Sequence, residues 1–143
     1  MGNYRRARIA GGTYFFTVVT AERRPWLGTD VGRNAFREAY RQVLVTQPFT
    51  TIAGVLLLDH VHCIWQLPNG DSDFPRRWQR IKRRTTELLK AKGMTIPLWQ
   101  PRFWEHAIED EHDLSRHIEY VHYNPVKHGL ARRANEWQPS SIH

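Results

Sequence analysis

Apolar and polar positions change period several times along the chain, and each change marks an element. The stretch "GGTYFFTVVT" (11–20) is dense in aromatic and β-branched residues after a glycine pair and reads as a strand. From a cap at Thr29 or Asp30, Val31, Ala35, Ala39 and Val43 recur at every fourth residue, with Phe36, Tyr40 and Leu44 beside them. This predicts an amphipathic helix of about four turns that ends before Pro48. "FTTIAGVLLL" (49–58) reads as a second strand, and its unbroken apolar end implies burial on both faces. Leu58 and Asp59 leave room only for a tight connection, so "HVHCIWQLP" returns as the hairpin partner, closed by "PNGDSD".

A second helix starts near Asp73, with Pro75 tolerated in its first turn and Trp78, Ile81, Thr85 and Leu88 as its inward stripe. "AKGMTIP" ends it, and "LWQPRFWEHAI" (98–108) reads as a loop followed by a short strand. "EDEHDLSRHIEYVHYNP" (109–125) opens with acids, favourable at a helix N-terminus. It then places Leu114, Ile118 and Val121 at i, i+4 and i+7. The order strand, helix, strand, strand, helix, strand, helix points to an α+β fold. A ferredoxin-like sandwich fits best, with a mostly antiparallel sheet and the helices packed on one face. The 143 residues, without internal repeat or low-complexity linker, are expected to form one domain spanning 1–143.

Charge narrows the function. Twenty-one Lys and Arg against fourteen Asp and Glu give a net charge of +7 and a pI near 10.1, and the cations cluster. A basic domain with six tryptophans suggests a nucleic-acid partner, the plainer alternative being charge kept for solubility. No apolar run is long enough to span a membrane. "MGNYRRARIAGG" lacks the apolar centre of a signal peptide, and Arg6 stands where a myristoylation signal wants Ser or Thr. With Cys63 as the lone cysteine, the cytoplasm is the expected compartment.

The candidate chemistry begins at "LLLDHVHCIWQL" (56–67). On a strand, His60 and His62 project to the same side, while Val61, Cys63, Trp65 and Leu67 fill the other, more core-like side. Two adjacent imidazoles can chelate a divalent ion if each has its other nitrogen held by a partner. Two half-exposed histidines bonded to backbone fit the pattern as well. On the last helix Asp113, His117, Tyr120 and Asn124 form a polar stripe beside the apolar one, so Tyr120 and Asn124 occupy neighbouring turns. A phenol beside an oxygen ligand and a histidine pair is an arrangement for nucleophilic chemistry with a metal-polarised electrophile. Asn124 before Pro125 is equally a common helix-end dipeptide, and Tyr120 equally a half-buried packing residue. Tyr123 points about 60° further round the helix and is the poorer nucleophile by geometry.

"HVHCIW", "YVHYNPVKHGL" some sixty residues on, "NYRR…GGTYFFTV" at the start and "WQPRFWEHAI" between them together resemble the REP-associated tyrosine transposases. These are HUH single-strand endonucleases related to single-tyrosine insertion-sequence transposases. The likeness runs from Asn3 to about Trp137, in order. It implies that His60 and His62 are the metal-binding pair, with Val61 the hydrophobic residue between them. Tyr120 is then the nucleophile, and Asn124 completes the metal site. The implied reaction is attack of the phenolate on a phosphodiester in single-stranded DNA beside a hairpin, a repetitive extragenic palindrome. It leaves a 5′-phosphotyrosine link and a free 3′-OH, with Mg²⁺ or Mn²⁺ and no nucleotide cofactor. The family's base-reading arm falls on Asn3, Tyr4, Arg5 and Arg6.

Phosphate contacts are expected from Arg76, Arg77, Arg80, Arg83 and Arg84 on the second helix, and from Arg102 and Lys127 near the site. Among Trp65, Trp99, Phe103 and Trp104, one exposed ring for stacking on a base is the expectation, the others being core. The given sequence ends at "WQPSSIH", where relatives often continue with a basic tail, and it carries Asn where many insertion-sequence relatives carry Gln. A monomer acting in cis is expected. The competing reading is a module that binds hairpin DNA or RNA without cleaving it. A replication initiator or relaxase of the same superfamily is disfavoured by the lack of an appended helicase or a larger histidine cluster.

Overall fold

The computed structural model describes residues 10–129. Strand β1 (Thr13–Val19) is followed by two short 3₁₀ turns, Ala21–Arg23 and Trp26–Gly28, and then by α1 (Asp30–Thr46). The hairpin β2 (Thr50–Leu56) and β3 (His60–Gln66), α2 (Phe74–Lys90), β4 (Trp104–Ala107) and α3 (Glu111–Lys127) complete the order. Local chemistry sets the boundaries. Thr29 Oγ1 accepts from the Gly32 amide at 3.0 Å to cap α1, and the helix stops one residue before the Gln47–Pro48 step. Gly32 is required there: a Cβ would lie 1.9 Å from the Trp26 carbonyl oxygen, which packs against the first turn. Asp73 and Asp110 cap α2 and α3 in the same way.

The four strands form one sheet in the order β2-β3-β1-β4, every neighbouring pair antiparallel. That is the ferredoxin-like arrangement, with β3 returning between β2 and β1. The expectation of helices on one face is corrected. Helices α1 and α2 cover one face, where Tyr14, Phe16, Val18, Val61, Cys63 and Trp65 are buried with Trp78 and Ile81. The third helix packs on the opposite face, where Val121, Leu114 and Ile118 meet Phe15, Ala53, Val55 and Ile64. β1 and β3 therefore serve two cores, one on each side. No described helix is long and apolar enough to cross a membrane.

Two further expectations change. α3 runs past Asn124 to Lys127 with Pro125 inside its last turn, where the missing amide forfeits only one intrahelical bond. Arg77 is 1% exposed instead of lying on the outer face of α2. Its guanidinium donates to Asp71 at 2.8 and 3.0 Å and to the carbonyls of Gln47 and Pro48, so it ties α2 to the end of α1. A buried cation with that many partners holds the fold and is not free to take a phosphate.

Candidate nucleic-acid cleavage site

Register alone assembles the floor of the site. His62 lies opposite Val55 on β2 and Thr17 on β1, and Thr17 lies opposite Trp104 on β4. In the next row of the same face, Ile64, Phe15 and His106 stand opposite one another. Directly paired residues share a face, so His60, His62, Thr17, Phe15, Trp104 and His106 all face α3. Between that face and the last two turns of the helix is an open cleft of about 570 Å³, lined by both histidines, Tyr120 and Lys127.

Both histidines are buried, 7% and 4% exposed, and each has one ring nitrogen engaged. His60 Nδ1 is 2.7 Å from Asp59 Oδ1, and Arg23 donates to the other oxygen of Asp59 at 3.2 Å. His62 Nδ1 is 2.9 Å from Thr17 Oγ1. The Nε2 atoms are left as the available donors of a lone pair, the arrangement in which a second partner sets the tautomer of a metal-binding imidazole. Electrostatics keep both rings neutral. Burial lowers His60, with His128 and Arg23 adding to the effect against the pull of Asp59. Burial, then His60, His128 and Lys127, bring His62 down to about 3. Asp59 stays below the usual carboxylate range although burial opposes it, because His60 and Arg23 bond and attract its anion.

Above this floor, the Tyr120 ring meets the His62 ring edge-on at 5.2 Å and packs on Phe15 at 5.9 Å, yet remains 38% exposed. Lys127 Nζ lies over the Tyr120 ring, 5.1 Å from its centre. One turn on, Asn124 is fully buried, and its Nδ2 reaches only the Tyr120 carbonyl, at 3.4 Å. Its Oδ1 is a buried acceptor without a hydrogen-bond partner among the described residues. A buried amide oxygen left bare costs stability unless something else binds it. The donor set, two imidazole nitrogens and one amide oxygen, fits a hard divalent ion that keeps positions open for water and phosphate oxygens.

A second group of ligand-type side chains lies at the other end of the cleft. His106, Asp113 and His117 place ligand atoms within 4.8 Å of one another. The Asp113 carboxylate is already engaged, accepting from the Glu109 amide at 2.9 Å, His106 Nε2 at 2.8 Å and Arg116 at 3.2 Å, with His117 Nδ1 3.1 Å away. The Glu109 amide first, then the His106 bond and the attraction of His106 and His117, bring its pKa down to about 2 against the opposing effect of burial. A guanidinium at that distance competes with any cation, so the cluster is read as a hydrogen-bonded network and the His60–His62–Asn124 group as the better metal candidate.

The structure thus brings together His60, His62, Tyr120 and Lys127 around one cleft, with Asn124 buried one turn along the helix. Arg76, Arg80, Arg83 and Arg84 lie on α2, across the sheet from the cleft, and Arg102 is exposed in the loop before β4. Asn3, Tyr4, Arg5 and Arg6 lie outside the described residues. Of the four rings considered for stacking, Trp104 is the exposed one, at 62%, and it lines the cleft. Sequence reasoning missed Thr17, Asp59, Arg23 and Arg116. Asp59 was legible as a carboxylate directly before His60; Thr17 needed the β1–β3 register.

The chain is 44% identical over its full 143 residues to the REP-associated tyrosine transposase of Escherichia coli K12, covering 84% of that protein. It is 40% identical to a Haemophilus influenzae protein described under the same family name, covering all of this chain and 86% of that one. Among solved structures, a REP-associated tyrosine transposase bound to a REP hairpin superposes with a TM-score of 0.86 at 45% identity, over 96% of this chain and 81% of that one. No protein-family model matches the chain.

Proposed function

The chain belongs to the REP-associated tyrosine transposases, and from that premise we propose a metal-dependent single-strand DNA endonuclease and strand transferase acting beside palindromic hairpins. The observation that carries this reading is the half-exposed Tyr120 on the wall of a cleft whose floor is two neutral histidines, with an unpartnered amide oxygen one turn away. In the proposed reaction Tyr120 Oη attacks the scissile phosphorus. The Oη–P bond forms as the bond from phosphorus to the 3′-oxygen breaks, leaving a 5′-phosphotyrosine and a free 3′-OH. Attack by a 3′-OH reverses the step, so rejoining needs no nucleotide cofactor.

Mg²⁺ or Mn²⁺ would be held by His60, His62 and Asn124, and when bound it neutralises phosphate charge and polarises phosphorus. Asp59 and Thr17 orient the imidazoles, and burial keeps them unprotonated and able to bind. Lys127 adds positive charge beside Tyr120 and the phosphate. Trp104 offers a face on which an unpaired base can stack.

The outer surface of α2 serves a different stretch of DNA. Arg76, Arg80, Arg83 and Arg84 are separated from the cleft by the sheet, so they suit the hairpin and not the scissile phosphate. The relative solved with a REP hairpin supports such a partner. Because Tyr120 touches His62 of its own chain, the reaction is assigned to one domain acting in cis as a monomer; the lone cysteine, Cys63, supports a cytoplasmic setting.

The test is incubation with an end-labelled single strand carrying a hairpin, plus Mg²⁺ or Mn²⁺, resolved on a denaturing gel. A protein–DNA adduct that disappears in Tyr120→Phe and His62→Ala is the expected result. Tight hairpin binding without an adduct under either metal would leave a binding module in place of an enzyme of this mechanism.

A further inference from the structure

His117 is held more firmly than a packing histidine requires. Its Nδ1 donates to the Asp113 carbonyl at 2.8 Å and lies 3.1 Å from the Asp113 carboxylate. Its ring lies between two others: His106 stacks on it at 4.8 Å and 19°, and Phe15 packs at 4.9 Å. Asp113 is itself fixed by the Glu109 amide, His106 and Arg116. With Nδ1 committed to carrying the proton, Nε2 is the basic nitrogen, and it has no partner among the described residues. His117 lines the same cleft as Tyr120.

The helix brings the two closer than their numbers suggest. Residues i and i+3 share a face, and a long side chain on a helix leans back over the preceding turn. Tyr120 and His117 therefore stand on adjacent turns of the same face, and both rings rest on Phe15. Lys127, the other basic group beside the phenol, sits over the face of the ring. The arrangement is that of a nucleophile, a base and a carboxylate orienting the base, here on successive turns of one helix.

We propose that His117, oriented by Asp113, takes the proton of the Tyr120 hydroxyl as the phenol attacks DNA. This rests on the reading of Tyr120 as the nucleophile. The proton passes from Oη to His117 Nε2 while the Oη–P bond forms. The P–O3′ bond breaks, and the departing 3′-oxygen takes a proton from water. On rejoining, the attacking 3′-OH gives its proton to water as the O3′–P bond forms, and the imidazolium returns its proton to the departing phenolate. Asp113 is the positioning residue, and His106 holds Asp113. The titratable groups facing His117 are Asp113, Arg116 and Tyr120 on α3, His106 on β4 and His62 across the cleft on β3; β1 presents Phe15 and Thr17, neither of them titratable.

The experiment is single-turnover adduct formation by the full chain across pH 5.5–9.5, on a hairpin-flanked strand with saturating Mn²⁺. In wild type the rate should rise with pH and level off, giving one inflection. His117→Ala should lower the rate about 100-fold or more, lose that inflection and regain rate when free imidazole is added. Asp113→Asn should move the inflection, and urea unfolding checks that this variant is folded. An unchanged profile in His117→Ala, with no response to imidazole, overturns the role while leaving Tyr120 in place. An adduct that persists in Tyr120→Phe overturns the nucleophile and this proposal with it.

Discussion

Val61, Cys63 and Trp65 of β3 face α1 and α2 and are wholly buried among aromatic rings, whereas their neighbours His60 and His62 face α3 with ring nitrogens turned toward a cleft. Alternate residues of one strand thus serve two purposes. On the first face Trp65 stacks on Trp78 at 4.5 Å, and its indole N–H donates to Tyr40, which in turn meets Thr51. On the second face a smaller apolar group, Phe15, Val55, Ile64 and Val121, seats the helix, and the remaining positions carry groups whose burial is a cost. Two neutralised histidines and a bare amide oxygen weaken that face in the free protein. One face holds the sheet together; the other carries buried polar groups at a cost that the proposed reaction explains.

Cutting into each face should separate these roles. Trp78→Ala removes a fully buried ring and should cost about 3–5 kcal/mol in urea unfolding. Tyr120→Phe on the opposite face should cost less than about 1 kcal/mol while abolishing the adduct. Similar stability losses in both variants would erase the contrast.

Acid should act on the α3 face. The His62 pKa is depressed in the fold, so the unfolded chain binds the extra proton first. The stabilisation is complete above pH 6.5 and is lost as pH falls toward about 3, by an amount on the order of 5 kcal/mol. Asp113, also depressed, adds a loss in the same direction, between the ordinary carboxylate range and about 2. Urea unfolding of metal-free protein from pH 7.5 to 4 should show the His62 decline, and His62→Gln should flatten it.

A smaller effect is expected from α2. Arg83→Ala with Arg84→Ala should weaken hairpin binding a few-fold and reduce the slope of log affinity against log salt by about 1–2. The adduct rate at saturating DNA should stay as it was. A change in that rate instead would place these cations at the scissile phosphate.

Much of this was legible in the sequence. The parity of β3 placed His60 and His62 opposite Val61 and Cys63, and the stripe Asp113, His117, Tyr120, Asn124 lines up on α3 as the 3.6-residue period requires. Burial on both faces was read at the apolar end of β2, but a helix on each face was not, because His60, His62 and Gln66 make one face of β3 look solvated. The signal lay in β1, where Phe15 between Tyr14 and Phe16 marks a strand apolar on both sides. Arg77 was misplaced because its charge outweighed its position: Phe74, Arg77, Trp78 and Ile81 are one helical stripe. The partners of the histidines, Thr17 above all, depend on strand register, which spacing along the chain does not determine.

The claim that the α3 face gives up stability to hold an ion is tested most directly at Asn124. Thermal unfolding of wild type and Asn124→Ala would be followed with and without Mn²⁺. The account predicts that Asn124→Ala is as stable as wild type or more so without metal, since the orphaned Oδ1 is gone. It also predicts that the rise in Tm on adding Mn²⁺ shrinks or disappears. A variant that is destabilised without metal, yet shows the full Mn²⁺-dependent rise, would contradict it.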